Sequence, residues 1–236
     1  MLGIKTKIFQ LLHKSRWYYG HYRAYLNRDK TIREYLKKHR IRKLNLACWP
    51  HPEEGWLNTD LYGNREITPL DLTKNFPIGD NKFDYIFCEH AIEHFDINQG
   101  IKILQECYRI LKPGGKTRIA TPEINFLIRL YQKQKSPTQK KYILWAGKAF
   151  FDKPQYSTDT FIINNFFRAW GHKFIYDYKT LKSILEDVGF ENVRKATPGQ
   201  SLDPNLRNME SHWKSIGRKD FNNLETFVAE AIKPSQ

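Results

Sequence analysis

The sequence predicts an α/β fold with a mostly parallel sheet, preceded by a basic helical arm. Two patterns predict it. From Lys43 onward, short apolar runs of strand character alternate with helical stretches, the rhythm of a parallel sheet. Before Lys43, apolar residues recur at helical spacing among Lys and Arg. A chain of 236 residues, 40% of them hydrophobic, is long enough for one large domain with appendages.

Residues 1–42 form the arm. Ile4, Ile8, Leu11, Tyr18, Tyr22, Tyr25, Ile32 and Leu36 fall at intervals near three or four, or at multiples of them, and Gly20 is a point where the segment could divide into two helices. Residues 1–43 hold 13 Lys/Arg and 2 Asp/Glu, a net +11, whereas the remainder is close to balance at +3. The asymmetry points to an acidic partner for the arm alone, an anionic membrane surface before nucleic acid. Its second half, Tyr18 to Leu36, is expected to pack on the domain, and its first half, Leu2 to Lys14, to be held loosely.

Residues 43–236 form the domain. Lys43 to Cys48 reads as a strand running into the breakers Trp49-Pro50-His51-Pro52. Trp56 to Asp60 is a second strand ending in an acid, Ile67 to Leu70 a short third before Asp71, and Phe83 to Cys88 a stronger fourth. A helix from about Asn98 to Leu111 stops at Lys112-Pro113-Gly114-Gly115, because proline cannot continue it and the glycines permit a tight turn. Lys116 to Ala120 is the fifth strand. Residues 123–178 are rich in aromatics and contain the loop-like Lys153-Pro154-Gln155; they read as a helical insertion covering the sheet edge. Tyr178 to Val188 is a helix capped by Gly189, Phe190 to Lys195 a strand, and Glu225 to Ile232 the last strand.

No apolar run approaches the ~20 residues that span a bilayer. The basic N-terminus lacks an apolar core followed by a small-residue cleavage site, so no signal peptide is expected. Cys48, Cys88 and Cys107 form no CxxC pair and sit in apolar stretches, which suits reduced thiols in a cytoplasmic protein.

Four segments carry a family resemblance. Leu44-Asn45-Leu46-Ala47-Cys48-Trp49-Pro50 is similar to a strand and glycine loop of the form L-N-L-G-C-G-P. Gly55-Trp56-Leu57-Asn58-Thr59-Asp60 is similar to G-W-[IL]-N-x-D. Glu89-His90-Ala91-Ile92-Glu93-His94 follows the fourth strand as E-H-x-[LI]-E-H does, and Arg109-Ile110-Leu111-Lys112-Pro113-Gly114-Gly115 is similar to R-[VI]-L-K-P-G-G. In this order they resemble the class I S-adenosylmethionine-dependent methyltransferases, most of all a branch associated with polysaccharide gene clusters. The resemblance implies a Rossmann-like, mostly parallel seven-stranded sheet with helices on both faces and a lid insertion. It implies S-adenosylmethionine as cofactor and a small-molecule or glycan acceptor, methylated on oxygen or nitrogen. Ligands of such sheets bind beyond the carboxyl ends of the strands. There the resemblance assigns the cofactor to Ala47, Cys48, Trp49, Asp60, Leu61, Asp71, Leu72 and Glu89, with Asp60 on the ribose and Asp71 or Leu72 near the adenine. His90 is the first candidate base and His172 the second.

Ala47 and Trp49 stand where the family has glycine, and the loop before the second strand is too short for a full first helix. A non-catalytic binding protein with an altered cofactor loop is therefore an alternative, and the basic arm keeps an RNA methyltransferase as another. His90 to His94 also spells H-x-x-E-H, but it follows a strand directly instead of lying inside a long helix, so no metal is assigned. Glu93 and His94 are read as structural.

Overall fold

The structure is a computed structural model that describes residues 2–151 and 157–235, with side chains from residue 18 onward. The side chains of Ile4, Ile8 and Leu11 and the loop Lys153-Pro154-Gln155 lie outside the described residues.

Seven strands form one sheet: β1 (Lys43–Leu46), β2 (Leu57–Asp60), β3 (Thr68–Pro69), β4 (Phe83–Glu89), β5 (Leu111–Pro122), β6 (Glu191–Ala196) and β7 (Thr226–Ile232), in the order β3-β2-β1-β4-β5-β7-β6. β1 to β5 pair in parallel, and β7 runs antiparallel between β5 and β6. Leu44, Leu46, Phe83 and Ile86 are completely buried, which is why the central strands read as near-continuous apolar runs. Residues 47–56 contain no helix, in line with the short loop.

α1 (Leu2–Lys38) runs unbroken through Gly20. A single glycine weakens a helix by only ~1 kcal/mol, too little to end it. The arm packs less than expected: Tyr18, Tyr22 and Tyr25 are each more than half exposed. Its anchors are His21, whose Nδ1 accepts the Gly63 N–H at 3.0 Å, and the buried Ile32 and Tyr35. The Tyr35 hydroxyl shares its proton between the carbonyls of Lys43 and Gly55, at 2.8 and 2.9 Å, and accepts the Lys43 N–H at 2.9 Å. That ties the arm to the start of β1.

α2 (Ile97–Ile110) opens with a capping box between Asp96 and Gln99 and buries Ile103, Leu104, Cys107 and Ile110. α6 (Tyr178–Val188) is capped by Asp177 and ends on Gly189 at φ +111°, a left-handed position suited to glycine. Both pack into the main core with Ile32 and Tyr35. The insertion contributes α3 (Ile124–Tyr131), α4 (Pro137–Phe150) and α5 (Asp159–Arg168). It has its own core around Phe126, Tyr142 and Phe166. It sits over the carboxyl ends of the strands, not along the sheet edge where its composition placed it, because α3 leaves the end of β5 directly. Sequence patterns missed α7 (His212–Ile216) and α8 (Lys219–Glu225), which are too short to show a period.

The segment 197–210 covers the sheet face opposite the main core, where Leu206 and Met209 pack on Trp56 and Phe87. It is fastened by Arg118 of β5, whose side chain is entirely buried. The guanidinium donates to Glu210 Oε1 at 2.6 Å, Glu230 Oε1 at 2.5 Å and the Gln200 carbonyl at 2.9 Å. Breaking a buried charge network by removing one partner costs ~3–5 kcal/mol. Arg118→Ala is therefore expected to lower unfolding free energy by about that amount in a denaturant titration. A loss under about 1 kcal/mol would show the network to be dispensable.

Candidate active site

The carboxyl ends of β1, β4 and β5 open into a cavity of about 360 Å³. Leu46 to His51 form one wall, Glu89 and His90 the floor beside Pro122, and Ser211 and His212 a second wall. The insertion closes the roof with Tyr142, Trp145, Phe150, Phe166 and Trp170. These rings stack edge to face, Trp145 on Phe150 at 5.3 Å and Phe150 on Trp170 at 5.0 Å between centroids.

Ala47 adopts the left-handed conformation at φ +51°, the one for which glycine is preferred and which alanine enters at a cost of ~1–2 kcal/mol. The turn is held by Cys48 N–H donating to the Thr59 carbonyl at 2.9 Å and Trp49 N–H donating to Asp60 Oδ2 at 3.2 Å. Trp49 lines the cavity and is 66% exposed, so it is not packed into the protein interior. Burial, then the Asp60 charge, pushes the Cys48 thiol up to about 12, which leaves it an inert packing group.

The predicted cofactor residues divide. Ala47, Cys48, Trp49 and Glu89 line the cavity; Asp60, Leu61, Asp71 and Leu72 lie outside its wall, at and beyond the ends of β2 and β3. Asp60 commits only Oδ2 to the loop, and its Oδ1 has no hydrogen bond among the described residues. A carboxylate with one free oxygen at the end of β2 fits a ribose diol. Asp71 Oδ1 accepts the Thr73 hydroxyl at 2.6 Å and its N–H at 2.9 Å; the hydroxyl bond chiefly holds the Asp71 carboxyl below its ordinary range. Leu72 is buried and Leu61 exposed. Glu89 accepts the N–H groups of Ser211 and His212 at 2.9 and 3.1 Å. It caps α7 and has little capacity left for a ligand. Burial raises its pKa despite those donors.

The two predicted histidines differ. His90, at φ +46°, has Nε2 3.0 Å from the Thr226 hydroxyl and Nδ1 3.4 Å from Glu93 Oε1. Burial pulls its pKa down, but the surrounding carboxylates, Glu93 first, carry the net shift upward. A histidine held toward its protonated form is a weaker resting base. His172 is the reverse: burial lowers its pKa, and Nδ1 is 2.7 Å from the Phe166 carbonyl. Since a carbonyl only accepts, Nδ1 carries the proton and Nε2 keeps a lone pair.

Four groups escaped the sequence reading as site residues. Glu93 and His94, taken as structural, both line the cavity. Glu225 lies at its base, donated to by the Tyr142 hydroxyl, and burial raises its pKa to about 7. Its one sequence signal is an acid at the start of an apolar run. His212 stacks on His90 with centroids 4.0 Å apart, yet stands 122 residues beyond it with no local motif.

Residues 58–119 match a family model described as a methyltransferase domain. A phosphoethanolamine N-methyltransferase of Plasmodium falciparum is 35% identical over 85 residues, which cover 34% of this chain and 30% of that protein. The match thus spans under a third of that relative's length. Among solved structures, a SAM-dependent methyltransferase from Archaeoglobus fulgidus aligns at TM-score 0.46 and 17% identity, over 87% of this chain and 92% of that one. A Mesorhizobium loti S-adenosylmethionine-dependent methyltransferase aligns at TM-score 0.48 and 14% identity, over 82% and 91%.

His212 has a distinct pH signature. Burial, followed by the neighbouring charge of His90, lowers its pKa from 6.5 to about 3. Between those two values the unfolded chain binds a proton that the folded chain refuses, so stability falls as pH drops through that window. His212→Gln should flatten the acid limb of Tm against pH. Superimposable limbs for variant and wild type would contradict a neutral, buried His212.

Proposed function

We propose that this chain is a class I S-adenosylmethionine-dependent methyltransferase that methylates an oxygen or nitrogen of a small-molecule or glycan acceptor held beneath the lid, a reading supported by the methyltransferase-domain match over residues 58–119 and by the sheet order. The cavity carries this reading. It lies beyond the carboxyl ends of β1, β4 and β5, where open sheets bind ligands, and its volume suits a small molecule. The family cofactor, S-adenosylmethionine, supplies a methyl group already activated on its sulfonium sulfur.

The chain's own residues do the rest. Asp60 accepts a ribose hydroxyl with Oδ1. Leu61, Asp71 and Leu72 border the adenine side, and the backbone of Ala47 to Trp49 lines the methionine side. Ala47 already takes the conformation glycine would, which favours a working cofactor loop over a degenerate one. The roof aromatics exclude water and offer stacking faces to a sugar or an amine. His172 receives the acceptor's proton at Nε2, with His90 the second candidate. The Plasmodium falciparum relative, a phosphoethanolamine N-methyltransferase, supports a small acceptor. The resemblance to polysaccharide-cluster enzymes supports a glycan.

Calorimetric titration with S-adenosylhomocysteine tests the cofactor assignment. Asp60→Ala should weaken binding by ~1.5–3 kcal/mol per charge-assisted hydrogen bond lost, and Asp60→Asn by less. No binding to the wild-type chain would refute the reading.

The reading places the protein in the cytoplasm, with α1 touching an anionic membrane through its basic residues and exposed tyrosines. The chain should then co-sediment with phosphatidylserine vesicles at low salt and release at high salt. Failure to sediment at low salt would remove the membrane role.

A further inference from the structure

We propose that Glu93, His94 and His172 form a binding site for a single divalent transition-metal ion in the cavity wall. Among the described residues they are the one group of three His, Cys, Asp or Glu side chains whose potential ligand atoms all lie within 4.8 Å of one another. Ligands 2.0–2.2 Å from one tetrahedral ion stand about 3.3–3.6 Å apart, so the three side chains must draw together by up to about 1.5 Å to close the site.

Three independent features prepare these groups for an ion. Glu93 is completely buried: Oε2 accepts the Thr121 hydroxyl at 2.9 Å, whereas Oε1 accepts no hydrogen bond and has only the charge of His90 beside it. His90 Nδ1, at 3.4 Å from Oε1, is misaligned for one. Buried carboxylate oxygens are rarely left so without a ligand to receive. His172 donates Nδ1–H to the Phe166 carbonyl at 2.7 Å, the support that orients metal-binding histidines and leaves Nε2 for the ion. Finally, the N–H groups of Lys173 and Phe174 both donate to the Glu93 carbonyl, at 2.8 and 3.2 Å. These bonds pin the His172 segment to the turn that carries Glu93 and His94, whose ring meets that of His172 edge to face at 4.9 Å.

The trio is not the one the H-x-x-E-H pattern names. His90 is diverted to Thr226, and its place is taken by His172, 78 residues beyond His94. Two imidazoles and one carboxylate suit Fe²⁺, Mn²⁺, Co²⁺ or Zn²⁺ and leave coordination positions open. All three side chains line the cavity, so the open positions face the acceptor. The role, though not the site, rests on the methyltransferase reading. An ion there would occupy the His172 Nε2 lone pair, so that His172 would no longer serve as the base; it would instead bind the acceptor's oxygen and ease loss of its proton to solvent. The new C–O bond then forms as the methyl carbon leaves sulfur, which keeps the C–S electron pair. The site thus favours oxygen over nitrogen as the methylated atom.

The full chain, stripped with EDTA, is titrated with Co²⁺ while visible d–d absorption is followed, and with Zn²⁺ in a calorimeter. One equivalent should bind. His94→Ala and His172→Ala should each weaken binding more than tenfold, while His21→Ala, on the arm, should bind as wild type. Glu93→Gln serves as a third variant if it folds; the two histidine variants decide the matter if it does not. No stoichiometric binding, or unchanged affinity in His172→Ala, overturns the proposal. S-adenosylhomocysteine titrated into the stripped protein reports separately on the methyltransferase reading, so either can fail alone.

Discussion

Arg118 lies on β5 with its guanidinium out of water, and a buried charge has to be matched within the protein. It is matched from two directions. Glu230 on the adjacent β7 supplies one carboxylate and shares its other oxygen with Arg194 of β6, which locks the antiparallel end of the sheet. Glu210 supplies the second, and with it comes the whole segment 197–210. Glu210 also accepts the Gly199 N–H, so the segment closes on itself over the charge. The next two residues, Ser211 and His212, are thereby delivered to Glu89 at the end of β4. One cation inside the sheet therefore sets both the order of its last strands and one wall of the cavity.

The sheet was legible because its strands bury both faces, and buried strands announce themselves as apolar runs bounded by breakers. β1, β2, β4 and the helices α2 and α6 lie within two residues of where periodicity and capping put them. What misled was local weight without local consequence. Gly20 is a breaker by composition, but a single glycine costs a helix only ~1 kcal/mol and α1 runs through it. The tyrosines of α1 carry helical spacing yet stay exposed, because the arm is anchored by His21, Ile32 and Tyr35 instead. The site was legible only where it sits on strand ends. Asp60, Glu89 and His90 could be found from position alone. His212 and Glu225 reach it through tertiary contacts over more than 120 residues, which no local pattern encodes.

Within the cavity, three histidines of one intrinsic basicity are driven apart by their surroundings. His90 lies among Glu93, Glu89 and Glu225, and their charges outweigh its burial. His212 stacks on it at 4.0 Å, and burial first, then the neighbouring His90, holds its pKa down to about 3. His172 is half-buried with its proton fixed on the Phe166 side. The result is one imidazole drawn toward its protonated form and two pushed away from it around one space. That division lets a single cavity hold a buried carboxylate in place while keeping an imidazole lone pair available.

The loop after β1 keeps its shape despite its departures for a related reason, which is that backbone geometry matters there more than side-chain identity. Glycine is useful in such a loop for left-handed φ and for the absence of a Cβ near the ligand. Ala47 meets the first requirement at φ +51°, held by the Cys48 bond to Thr59 and the Trp49 bond to Asp60. Trp49 lines the cavity but stays largely exposed to solvent. Asp60 holds that turn with Oδ2 alone, and its Oδ1 makes no hydrogen bond among the described residues. A loop whose glycines are replaced can keep its shape when the acid at the end of the next strand supplies the bond that holds it. The side chains that look like defects in the motif are therefore consistent with the geometry that the motif exists to create.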